Sequence, residues 1–142
     1  MAYTHSKQEF LFQTGSGPVY TATTSGDKGF WSPMYVPHYV RAVSVMTVNS
    51  GAVMSTLKVL FNHISMASGS TASAIDQING TSTHAAGQVL YIDGLNVKVS
   101  PGERVNMNVT QIVSGTCNFM SSIYIEPCWE QPGNDTTMVT AT

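Results

Sequence analysis

The stretch QVLYIDGLNVKVSPGERVNMNVTQIV, residues 88–113, decides the fold. Within it Val105, Met107 and Val109 alternate with Asn106, Asn108 and Thr110, the period of two expected of a strand with one face buried and the other in water. Two short runs, QVLYI and LNVKV, come before it, joined by Asp93-Gly94. That dipeptide suits the two central positions of a tight hairpin turn. Ser100-Pro101-Gly102-Glu103 then places Pro second and Gly third, as a type II turn requires. A chain that reads strand, turn, strand, turn, strand belongs to an antiparallel sheet.

Working outward, the same grammar repeats. YVRAVSVMTV (39–48) is followed by the polar turn NSGAV, and MSTLKVLF (54–61) sets Leu57, Val59 and Phe61 against Thr56 and Lys58. After the turn SGTCNF, the run SSIYIEP closes the series. Residues 65–87 are small and polar with two isolated isoleucines, and they read as a long loop, or as a loop holding one helical turn at 74–78. The chain shows no internal repeat and no amphipathic helix. Six to eight short strands with turn signals between them predict an all-β fold, a single antiparallel β-sandwich.

The first 38 residues differ from the rest. EFLFQ (9–13) and PVYTATT (18–24) read as short strands separated by TGSG, and the segment GFWSPMYVPHY (29–39) crowds rings between two prolines. Pro33 and Pro37 each remove a backbone donor and push Ser32 and Val36 toward extended geometry. Residues 1–38 are therefore expected to form an extended N-terminal arm, residues 39–127 the sandwich, and residues 128–142 a loose or docked tail. Such an arm is expected to be removable with the sandwich left intact. Phe10, Phe12, Phe30, Trp31, Met34, Tyr35, His38 and Tyr39 are the candidate contact residues. Such side chains either fold back to seal one end of the sandwich or present apolar surface to a neighbour, where rings are enriched. A ring can do both, one face to each.

The chain has 142 residues, enough for one domain with its own core. Only 10% of them are charged, where about 25% is usual. Polarity comes instead from 16 Ser and 16 Thr, a composition that leans toward strands and turns. A surface so poor in charge suits a chain packed against others. The six Lys and Arg do not cluster, so no nucleic-acid footprint is present. The opening MAYTHSKQEF lacks the parts of a secretion signal, and no apolar run reaches the ~20 residues of a membrane span. Neither nucleic acid nor membrane is an expected partner. Synthesis in a cytoplasm is expected, with export only inside a larger particle. Cys117 and Cys128 flank a strand that separates them by about 20 Å or more, too far for a disulfide, so two unbridged thiols are expected.

Catalytic patterns are missing. His5, His38, His63 and His84 are not spaced as metal ligands, and His38 is expected to donate to a backbone carbonyl. Asp76, Asp93, Glu103, Glu126 and Asp135 read as turn and strand-end acids, although a glycosidase would need two of them, such as Glu103 and Glu126, across a cleft. No nucleophile elbow, phosphate loop or dinucleotide fingerprint occurs. Asn-x-Thr at Asn79, Asn108 and Asn134 is frequent by chance in so Thr-rich a chain. The expectation is a non-enzymatic protein without metal or cofactor.

Three segments carry a family likeness: WSPMYVPHYVRAVSV (31–45), AGQVLYIDGLNVKVSPGERVNMNVTQIVSGT (86–116) and IYIEP (123–127). Their order over about residues 30–127 resembles small structural proteins of tailed bacteriophages, most of all the capsid decoration, or cement, proteins of the outer shell. The Pro-Gly turn is also similar to one in fibronectin type III domains, but Val105 or Asn106 stands where that family keeps its tyrosine. The phage resemblance implies a jelly-roll-like sandwich, a virion protein on the outer capsid surface, bound to the major capsid protein in many copies. It also implies an arm reaching a neighbouring subunit, and a homo-oligomer, a trimer at local three-fold positions. The alternative is a tail or fibre module that binds a host glycan or receptor through Trp31 or the 65–87 segment.

Overall fold

Alternation settles the faces first. Leu57, Val59 and Phe61 are 1%, 0% and 0% exposed, and Val105, Met107 and Val109 are all 0%, so both runs turn one face to a core. The computed structural model describes residues 7–21, 24–49, 56–65, 71–81, 85–111 and 117–128. Among them are ten strands: β1 Gln8–Leu11, β2 Tyr20–Thr21, β3 Gly26–Trp31, β4 His38–Thr47, β5 Lys58–Ser65, β6 Thr71–Asn79, β7 Val89–Ile92, β8 Val97–Val99, β9 Arg104–Gln111 and β10 Asn118–Pro127. His5, His84, Asn134, Asp135 and the tail beyond Cys128 lie outside the described residues.

The strands form two antiparallel sheets. In the first, β10 and β4 are central, β1 and β2 both pair with β10, and β7 and β8 both pair with β4; the second runs β3-β9-β5-β6. Each edge of the first sheet is thus one strand line with a loop thrown out of it. Phe12 N–H continues the β1 ladder to Ser121 O at 3.0 Å, and β2 resumes at Tyr20↔Phe119. Taking each split edge as one line, the ten strands reduce to eight, in the orders 1-8-3-6 and 2-7-4-5. This is the arrangement of a two-sheet jelly roll. The fold is an antiparallel β-sandwich, as the strand pattern predicts.

Three expectations change. Asp93-Gly94 closes no hairpin: β7 pairs with residues 43–46 of β4 and β8 with residues 38–40, so both lie along the same neighbour. Residues 93–96 bulge out opposite Arg41 and Ala42, Gly94 takes φ +71°, and Leu95 N–H returns to Arg41 O at 3.0 Å. The dipeptide supplied the positive φ that its type favours, but the partner was chosen by β4, whose edge was open. The 65–87 segment holds no helical turn at 74–78. Residues 71–79 pair instead with β5 from Ser65↔Thr71 to Lys58↔Asn79. A bulge between Phe61 and Asn62 leaves Ile75 without an opposite residue, and Ile75 packs against the core. An edge strand needs few apolar side chains when its neighbour supplies the ladder, which hid it from a reading by periodicity.

The third concerns the first 38 residues. Their strands are present, but built into both sheets: β1 and β2 complete one edge and β3 another. Phe12 and Tyr20 are 1% and 5% exposed in the same core as Phe61, Phe119 and Ile123. A segment whose strands pair in both sheets and whose rings fill the core is not an extended arm. Two of the buried polar side chains inside are paired, Ser121 Oγ donating to Ser44 O at 2.9 Å and Thr47 Oγ1 to Asn118 O at 3.3 Å, whereas the buried Tyr20 hydroxyl has no partner among the described residues. Ser100–Glu103 makes the expected turn, with Glu103 N–H to Ser100 O at 2.9 Å and Gly102 at φ +92°, and it carries the chain from β8 to β9 in the other sheet.

Candidate functional site

Residues 32–37, SPMYVP, cross from β3 in the second sheet to β4 in the first. Two prolines fix φ within this loop, and Pro33 is buried. Its roots are held by hydrogen bonds. Ser32 Oγ donates to Glu103 O at 2.5 Å, Cys128 N–H donates to Pro37 O at 2.8 Å, and the His38 ring Nδ1 lies 2.8 Å from Val36 O, the carbonyl contact expected of that histidine. Between these roots the tip is apolar and open: Met34 is 88% exposed and Tyr35 65%. A rigid loop that presents a methionine and a tyrosine to solvent has the chemistry of a contact surface.

Behind the tip, rings step inward to the core. Trp31 and His38 meet edge to face at 5.4 Å, Phe10 lies 6.3 Å from Trp31, Phe10 and Phe12 are edge to face at 5.5 Å, and Phe12 reaches Phe61 at 6.4 Å. Trp31 and His38 are half-buried. The remaining candidates lie on outer faces. Phe30 is half-exposed under the Arg104 guanidinium at 4.8 Å, and Tyr39 lies under Arg41 at 4.5 Å, both cation–π contacts. The eight candidates therefore fall into an inward ladder (Phe12, Phe10, Trp31, His38), an exposed tip (Met34, Tyr35) and two surface rings.

Sequence reasoning missed an apolar group on the outer face of the first sheet: Tyr91, Val89 and Tyr124 are 65%, 47% and 39% exposed. Their outward parity was readable, since Tyr91 alternates with Leu90 and Ile92, and Tyr124 with Ile123 and Ile125. What could not be read was that they share one face, which depends on β7 and β10 flanking β4.

Glu103 and Glu126 each engage partners of their own. Glu103 Oε1 binds the His63 ring Nε2 at 3.2 Å and accepts from Ser100 N–H at 2.8 Å, while Glu126 Oε2 accepts from Arg41 Nε at 2.9 Å. Asp27 Oδ1 accepts from the Asn106 and Asn108 amides at 2.6 and 2.5 Å. Among the described residues no group of three His, Cys, Asp or Glu side chains could hold a metal ion. Burial pushes the Cys117 thiol above its ordinary pKa, partly offset by the Thr47 hydroxyl, and burial also raises Tyr20.

No protein-family model matches the chain, and no curated protein does. Solved structures with a distant likeness include the following three. The structure of infectious bursal disease virus, Gt strain, is 14% identical with a TM-score of 0.37, over 89% of this chain and 31% of that one. The Gx strain is 11% identical with a TM-score of 0.41, over 92% and 30%. The CBM22-1–GH10 modules of Clostridium thermocellum xylanase 10B, complexed with xylohexaose, are 11% identical with a TM-score of 0.42, over 96% and 26%. The chain spans less than a third of each, and likenesses this distant decide nothing about its function.

Proposed function

We propose that the chain is a structural virion protein, a capsid decoration protein that binds the outer shell of a tailed bacteriophage and bridges its major capsid proteins. The observation that carries the reading is the SPMYVP loop, pinned at both roots and apolar at its tip. Burying a side chain such as Met34 against a neighbour contributes about 1.5–3 kcal/mol, and a pre-ordered loop loses little entropy on docking. The low charge and abundant hydroxyls fit a surface that stays among other subunits. Repetition over many identical shell sites makes modest contacts sufficient. In this reading the protein is made in the host cytoplasm, joins the shell as a homo-oligomer, a trimer at local three-fold positions, and has no catalytic role. The jelly roll alone does not carry the proposal, since that fold serves capsids and lectins alike.

The test is the copy number of this chain in purified particles, by quantitative mass spectrometry against the major shell protein. A ratio of the same order supports decoration. A ratio far below it moves the chain to the tail or a fibre, and absence from particles removes the virion reading.

A further inference from the structure

The two central strands of the first sheet part company with their neighbours at one place. β4 carries a bulge there: Tyr124 pairs with Ala42 but Ile125 with Val40, so Arg41 has no opposite residue on β10. On the other side of β4 the edge throws out residues 93–96. Bulges re-aim side chains and gather beside functional sites, and here two coincide on the same pair of residues. The result is a pocket of about 420 Å³ on the outer face, with Ala42 as a small floor and Arg41, Asp93, Asn96, Tyr124 and Lys7 around it. Its volume falls within the roughly 300–1,000 Å³ of small-ligand sites.

We propose that this pocket binds an uncharged saccharide, a reading that goes beyond shell attachment and does not depend on it. The walls are fixed before any ligand arrives. Arg41 donates to Glu126 and to Asn96 Oδ1 and lies over the Tyr39 ring, while Leu95 packs against the core and ties its N–H to Arg41 O. Such preorganisation lowers the cost of binding. Asn96 therefore keeps its amide N–H groups for a ligand, and Asp93 makes no hydrogen bond or ion pair among the described residues. Charges cancel, Arg41 and Lys7 against Glu126 and Asp93, so an anion finds little net attraction. A polyol finds both donors and acceptors. Tyr124, 39% exposed, lines the pocket beside them and brings an aromatic side chain of the kind that apolar sugar faces pack on.

The test uses the full chain and nuclear magnetic resonance titration with named probes: cellohexaose, xylohexaose, maltohexaose and chitotetraose as neutral ligands, sialyllactose as the charged one. Saturable shifts confined to residues 41–42, 93–96 and 124 with a neutral probe are the expected result. Asn96→Ala and Tyr124→Ala should each weaken that binding by roughly tenfold or more, while Met34→Ser leaves it unchanged. Both substitutions are at exposed positions, and a retained amide spectrum certifies the fold in each. No saturable shift with any neutral probe at millimolar concentration, binding of sialyllactose alone, or shifts that map elsewhere would each overturn the proposal. Particle copy number is a separate measurement, so this site and the decoration role can fail independently.

Discussion

Gly29 lies against the Phe12 ring so closely that a β-carbon at that position would stand 2.9 Å from Phe12 Cδ1 and 3.0 Å from the Tyr20 hydroxyl. The contact joins β3, an edge of one sheet, to the chain that forms the edge of the other, and it closes that side of the sandwich. Phe12 is 1% exposed and its ring has little room to retreat. Gly29→Ala should cost about 1–3 kcal/mol by overpacking, read as a lower urea midpoint. An unchanged midpoint would mean that the ring has slack the packing does not show.

The same contact governs truncation. Phe12→Ala should destabilise by about 3–5 kcal/mol. Removing residues 1–38 takes away Phe12, Tyr20, Trp31 and the whole of β3, leaving β9 as a raw edge. The truncated chain should show no cooperative thermal transition by circular dichroism. A sharp melt in that variant would restore the picture of a dispensable arm.

Met34 and Tyr35 should behave in the opposite way. They touch solvent rather than core, so Met34→Ser with Tyr35→Ser should leave stability within about 0.5 kcal/mol per site. In the decoration reading the double variant loses binding to purified shells lacking this chain, as measured by co-sedimentation. Full retention on shells would count against the loop as the contact.

Tyr20 and Cys117 set the alkaline limit. Their folded pKa values are raised by burial above 10.0 and 9.0 respectively, so the folded state holds those protons more tightly than the unfolded chain. Their contribution is complete below about pH 9 and is lost as pH climbs through the folded values. Stability should therefore fall as pH rises above about 9. The Tyr20 hydroxyl has no hydrogen-bond partner among the described residues, so Tyr20→Phe should stabilise by about 1 kcal/mol and flatten that fall. A fall as steep as in the parent chain would assign the alkaline loss to other groups.

Cys117, 0% exposed, should resist iodoacetamide at pH 8 in the native protein and react in urea, because the thiolate is the nucleophile. Peptide mass mapping reads this directly. Rapid native labelling would show that the β10 end opens easily.

Local rules were legible where a residue's role depends only on its neighbours in the chain. The alternation at 57–61 and 105–109 set which side chains are buried, and Ser100-Pro101-Gly102-Glu103 set its own turn, since period and φ are properties of a few consecutive residues. His38 found its carbonyl two residues away for the same reason. Partner choice was not legible. That β7 and β8 share β4, that residues 71–79 join β5, and that Phe12 fills the core all depend on which edges stood open once the central strands had paired. The pocket beside Arg41 belongs to that second class. It arises from a bulge in one strand and a loop thrown out of the next, separated by about 50 residues of chain, and only their packing side by side brings Arg41, Asp93, Asn96 and Tyr124 to one place.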